Sequence, residues 1–100
     1  MRGRTNMDFL HADFIGKPND VAIVKLDNQA NVMLLDEINF SAYKQGRSFK
    51  YYGGWACHSP VRLSPPRSGH WHVIIDLGGS VGRISANVRF VRAVEQGSLF

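Results

Sequence analysis

Two histidines at i,i+2 spacing, His70 and His72, stand in the segment SGHWHVIIDLGG. On a β-strand that spacing puts both imidazoles on one face, about 6–7 Å apart. Such a pair can hold a metal ion, with His58 or Asp76 as the candidate third ligand. Nothing in the sequence fixes a third ligand. The plainer reading is two polar residues on the solvated side of an amphipathic strand, so no metal and no cofactor is assigned. A second set is aromatic and basic: Tyr51, Tyr52 and Trp55 are interleaved with Arg47, Lys50 and Arg62. Cations among flat aromatic rings can stack bases or sugars and hold phosphates. Trp55 follows Gly53–Gly54, a pair that permits a bulge or a close backbone approach, and is the residue best placed for ligand contact. The candidate ligand-binding residues are therefore Tyr52, Trp55, His58, Arg62, His70 and His72.

No catalytic residues are assigned. A hydrolytic triad can be drawn from Ser59 or Ser68, a histidine and Asp76, but the chain has no G-x-S-x-G elbow. It has neither a P-loop nor a dinucleotide fingerprint, and Gly78-Gly79-Ser80-Val81-Gly82 lies between two strand-like runs. Cys57 is the only cysteine, which excludes an intramolecular disulfide and suits a reducing cytoplasm. It reads as a small, partly buried residue.

The net charge of +4 is unevenly spread. Residues 1–46 hold five Lys/Arg against six Asp/Glu, net −1, and residues 47–100 hold seven against two, net +5. A basic half permits an anionic partner such as nucleic acid. Its cations are dispersed rather than clustered, so a solvated basic surface is the plainer reading. No apolar run reaches the roughly 20 residues of a membrane span.

The elements that must position these residues follow from a period-two apolar pattern along most of the chain. DVAIVKLD (20–27) is a β-branched run between turn-like segments, and Val32–Leu35 is a second apolar run. In the run after Pro65–Pro66, Trp71, Val73, Ile75 and Leu77 share one face, and His70, His72, Ile74 and Asp76 share the other. Ile84, Ala86, Val88 and Phe90 alternate with polar residues in the next run. The two runs are expected to pair as an antiparallel hairpin across Gly78–Gly79. That pairing sets Asp76 against Arg83 or Ser85 and His72 against Asn87 or Arg89, so an Asp76–arginine contact is expected. DEINFSAYKQG (36–46) is expected to be a loop with a short turn of helix at most, stopped at Gly46. The fold class is all-β: a small antiparallel β-sandwich, jelly-roll-like, of seven or eight short strands with little or no helix. Residues 1–6 are expected to be a disordered amino-terminal extension, 7–93 the single sandwich domain and 94–100 a carboxy-terminal tail.

NVMLLDEINFSAYKQGR, YYGG, SPVRL and SGHWHVIIDLGG occur together in this order. In this combination the chain resembles the bacterial DUF1883 family, a domain of unknown function, from about Met7 to Arg92. The resemblance implies a compact β-sandwich, association with TIR domains in some members, and no established catalytic residues. The functional expectation is a non-catalytic, cytoplasmic binding or accessory module. It would recognise an unknown small ligand or protein partner through its aromatic and basic surface. Single-stranded nucleic-acid binding and a small metal-dependent hydrolase are the alternatives; oligomeric state is left open.

Overall fold

A computed structural model describes residues 9–80 and 82–93. The segments read above as an amino-terminal extension (1–6) and a tail (94–100) lie outside the described residues. Seven strands and one helix follow in the order β1 (Phe9–Gly16), β2 (Val21–Leu26), β3 (Ala30–Asp36), α1 (Glu37–Lys44), β4 (Tyr52–Ala56), β5 (Val61–Leu63), β6 (Gly69–Asp76) and β7 (Ala86–Val91). They form two antiparallel sheets, β1-β6-β3-β4 and β5-β2-β7, so the all-β sandwich is the observed architecture.

Except at β3–α1–β4, each connection carries the chain from one sheet to the other. This corrects the expected β6–β7 hairpin. Strand β6 lies between β1 and β3, while β7 pairs with β2 in the opposite sheet. The Gly78–Gly79 turn is real, with φ of 62° and 91° and Ser80 N–H donating to Leu77 O, but it is an arch between sheets. Hairpin and arch bury the same side chains of each strand, so the alternation is identical in both.

The faces assigned to β6 hold. Trp71, Val73 and Ile75 join Phe14, Ala22, Val24, Val32 and Leu34 in the core between the sheets. Ala86, Val88 and Phe90 of β7 pack against that core from the other side. The opposite face of β6 is not solvated. α1 covers it, and a second core forms there from Met33, Leu35, Phe40, Tyr43 and Ile74. Strands β3 and β6 are thus buried on both faces.

The helix is a fuller element than the single turn expected from the sequence. Asp36 caps it, its carboxylate accepting from Asn39 N–H at 2.8 Å and Asn39 Nδ2 at 2.9 Å. Arg67 donates to the other carboxylate oxygen at 2.7 Å. Phe40 and Tyr43, at i,i+3 spacing, put two aromatic rings on the sheet-facing side. Gly46 at φ 73° ends the helix, and Arg47 N–H reaches back to Ala42 O.

The β1–β2 turn is closed by a buried carboxylate. Asp20 accepts from Lys17 N–H at 3.0 Å, Ala93 N–H at 2.8 Å and Arg92 Nη1 at 3.1 Å, which ties the end of β7 to the turn. The Ala93 N–H first, then that of Lys17, hold this carboxyl below its ordinary 3.8. A depressed carboxyl supplies stability that is complete above about pH 4 and drains away as pH falls through the folded value. Acid titration followed by circular dichroism is therefore expected to show a steeper loss of stability in the parent than in Asp20→Asn. Equal slopes below pH 4 would contradict this role.

Candidate functional site

The outer faces of β1 and β6 meet under the first turn of α1. Because β1 and β6 are antiparallel neighbours with Asp13 opposite His72, residues His11 and Asp13 lie beside His70 and His72 on one surface. The helix adds Glu37 and Phe40. Glu37 Oε1 lies 2.5 Å from His72 Nε2 and 3.1 Å from His70 Nδ1. On its other side His70 presents Nε2 to Asp13 Oδ2 at 2.6 Å. His72 presents Nδ1 to His11 Nε2 at 2.8 Å. Phe40 stacks on His72 with ring centroids 4.1 Å apart and on His11 at 4.5 Å.

His72 is 4% exposed, so its polar ring atoms depend on these partners rather than on water. Burial, and then the neighbouring His72, push His11 below its ordinary 6.5. The bond from His70 holds Asp13 below its ordinary carboxylate value, and the bond from His72 does the same for Glu37. The result is a continuous array of three imidazoles and two carboxylates with an apolar wall.

A second polar cluster lies further along β6. Asp76 accepts from the Tyr43 hydroxyl at 2.6 Å, from Asn31 Nδ2 at 3.2 Å and from Gly78 N–H at 2.9 Å. The expected Asp76–arginine pair is therefore not what forms. Asp76 faces α1 and β3 rather than β7, and Tyr43 is the partner that reaches it. Likewise His72 lies across from Asp13 and Leu35, not from Asn87 or Arg89.

A third feature sits on the opposite edge of the four-stranded sheet. Trp55 on β4 is 50% exposed, and its Nε1–H donates to Gln29 Oε1 at 3.1 Å. Gln29 also lines a polar cleft of about 270 Å³ with Leu26, Asp27, Asn28, Cys57, His58 and Ser59. Cys57 is exposed there, not partly buried as expected, because it follows the end of β4 in the loop.

The six candidate ligand-binding residues do not converge. Trp55 and His58 belong to the cleft end. His70 and His72 belong to the helix-covered face near the other edge. Tyr52 sits opposite Leu34 with its ring edge-on to Trp71 at 6.2 Å, and Arg62 lies exposed on β5 of the other sheet. Tyr51 and Tyr52 are both about half exposed. His58 and Asp76, the candidate third ligands for a His70–His72 metal site, are not beside it; Asp13 is. His11, Asp13, Glu37 and Phe40 were not singled out from the sequence. His11-x-Asp13 carries the same i,i+2 spacing as His70-x-His72, and that repeated spacing is a local signal for the first two alone.

Fold and site together define a small antiparallel β-sandwich carrying a histidine–carboxylate array under its single described helix. The chain belongs to the family described as Domain of unknown function (DUF1883), whose model matches residues 7–94. No curated protein and no solved structure gave a match. No helix among the described residues is long and apolar enough to cross a membrane.

Proposed function

We propose that this domain is a non-catalytic, cytoplasmic binding module that takes a small polar ligand where Trp55 meets the Gln29–Cys57–His58 cleft. The observation that carries this reading is the state of Trp55: half in water, yet fixed in orientation by its bond to Gln29. An indole tied to Gln29, which lines a polar cleft, offers a flat stacking surface at little cost in side-chain entropy. Asp27, Asn28, Gln29 and His58 offer donors and acceptors within the same cleft. Cys57, a lone exposed thiol, suits a reducing compartment.

Single-stranded nucleic acid is the less favoured partner. Two of the cations in the basic half are already engaged, Arg67 with Asp36 and Arg92 with Asp20.

Trp55 supplies its own reporter, because the other tryptophan, Trp71, is buried. Titration with mononucleotides and short oligosaccharides is expected to quench or shift the exposed tryptophan emission. The signal should vanish in Trp55→Phe, and affinity should fall about tenfold or more in His58→Ala. A panel that changes neither emission nor melting temperature would count against the cleft as a ligand site.

A further inference from the structure

We infer that Asp13, His70 and His72 form a binding site for a divalent transition-metal ion of the zinc class, with Glu37 as its outer carboxylate. This site stands on the opposite sheet edge from Trp55 and does not depend on the cleft. Among the described residues, these three side chains are the metal-capable group whose ligand atoms lie within 4.8 Å of one another. Two imidazoles and a carboxylate are a donor set suited to zinc and related first-row ions. The ligands stand on two hydrogen-bonded strands, so their spacing is set by the sheet rather than by flexible loops.

Glu37 is what makes the arrangement directional. Its Oε1 meets His70 Nδ1 and His72 Nε2 together. A carboxylate that accepts an N–H from each ring leaves the other nitrogen of each, His70 Nε2 and His72 Nδ1, as a lone pair for a cation. His70 Nε2 already faces Asp13 Oδ2 at 2.6 Å. At that separation the two atoms share one proton in the metal-free site. When a metal ion enters, the Nε2 proton leaves to water, and Nε2 and Oδ2 each form a bond to the ion. Their separation then opens to about 3.3 Å, the edge of a tetrahedron with bonds near 2.0–2.1 Å. His11 Nε2, 2.8 Å from His72 Nδ1, can complete a fourth position once the proton these two nitrogens share has passed through water to His11 Nδ1. Phe40, stacked on His72, supplies the apolar wall that strengthens binding by excluding water.

The test uses the full chain prepared without a histidine tag, stripped by chelator and titrated with Zn²⁺ by calorimetry and with Co²⁺ by visible absorption. One equivalent of zinc is expected to bind at micromolar concentration or below and to raise the melting temperature. Cobalt is expected to give the intense visible bands of a four-coordinate site. Asp13→Asn and His70→Gln alter the exposed and half-buried members of the cluster and spare buried His72; each should weaken zinc binding at least tenfold. Glu37→Gln should weaken it 10–100-fold, as expected for an outer-sphere partner. Absence of stoichiometric zinc binding would overturn the proposal. So would variants that lower the melting temperature equally with and without zinc, because that marks the cluster as a latch between β1, β6 and α1.

Discussion

Replacing Trp71 by alanine is expected to remove about 3–5 kcal/mol of unfolding free energy, the range for deleting a buried aromatic side chain. The residue is 2% exposed and sits in the core between the sheets beside Val73 and Ile75. Its ring does more than fill volume. Trp71 Nε1–H donates to Arg67 O at 3.0 Å, and the Arg67 guanidinium lies 4.9 Å from the ring centroid. The same arginine pairs with Asp36, the cap of α1, so the indole helps hold the loop that ties the helix start to β6. A domain of this size has a total stability of about 5–15 kcal/mol, so Trp71→Ala approaches global unfolding. Urea denaturation is the measurement, and the melting temperature should drop by more than about 10 °C. Trp71→Phe keeps most of the apolar area but loses the indole hydrogen bond, and should cost about 1–3 kcal/mol. A loss below about 1 kcal/mol in Trp71→Ala would contradict the burial described here.

Removing the Asp76 carboxylate should cost about 2–4 kcal/mol, because three donors converge on it, the buried Tyr43 hydroxyl among them. In Asp76→Ala the Tyr43 hydroxyl is left buried without an acceptor, and Gly78 N–H loses the bond that anchors the arch. Tyr43→Phe removes one donor and leaves Asp76 with Asn31 and Gly78, so about 1–3 kcal/mol is expected, the range for a hydrogen bond to a charged group. The double variant should be less destabilised than the sum, since both single changes lose the same Tyr43–Asp76 hydrogen bond. Tyr43 also gives this cluster a pH signature. Burial first, then the bond to Asp76, raise its hydroxyl above the ordinary 10.0. A group whose folded pKa is raised supplies stability that is complete below the unfolded value and is lost as pH rises through the folded one. Stability should therefore decline above about pH 10 in the parent, and this decline should be flatter in Tyr43→Phe. Chemical denaturation at pH 8 and pH 11 distinguishes the two outcomes, and identical slopes would remove Tyr43 from the account.

Period-two alternation alone marked the faces of β6 and β7 that turn toward the core between the sheets. Trp71, Val73 and Ile75 were legible as core because side chains alternate with period two, whatever the strand pairs with. The sandwich class and the stop at Gly46 followed from local patterns as well. What the alternation cannot specify is the partner. It fixes a face but not a neighbour, so β6 and β7, adjacent in sequence and equally well patterned, looked like a hairpin. Only the tertiary structure showed the turn between them to be an arch. The outer face of β6 was misread for a related reason: His70, His72 and Asp76 look like solvated residues until α1 lays Phe40 and Tyr43 over that face. Each contact that makes the histidine–carboxylate array is long-range. His70 meets Asp13 across 57 residues, His72 meets His11 across 61 and Glu37 across 35. Such contacts come from closing large loops against a shared core, and no window of neighbouring residues contains them.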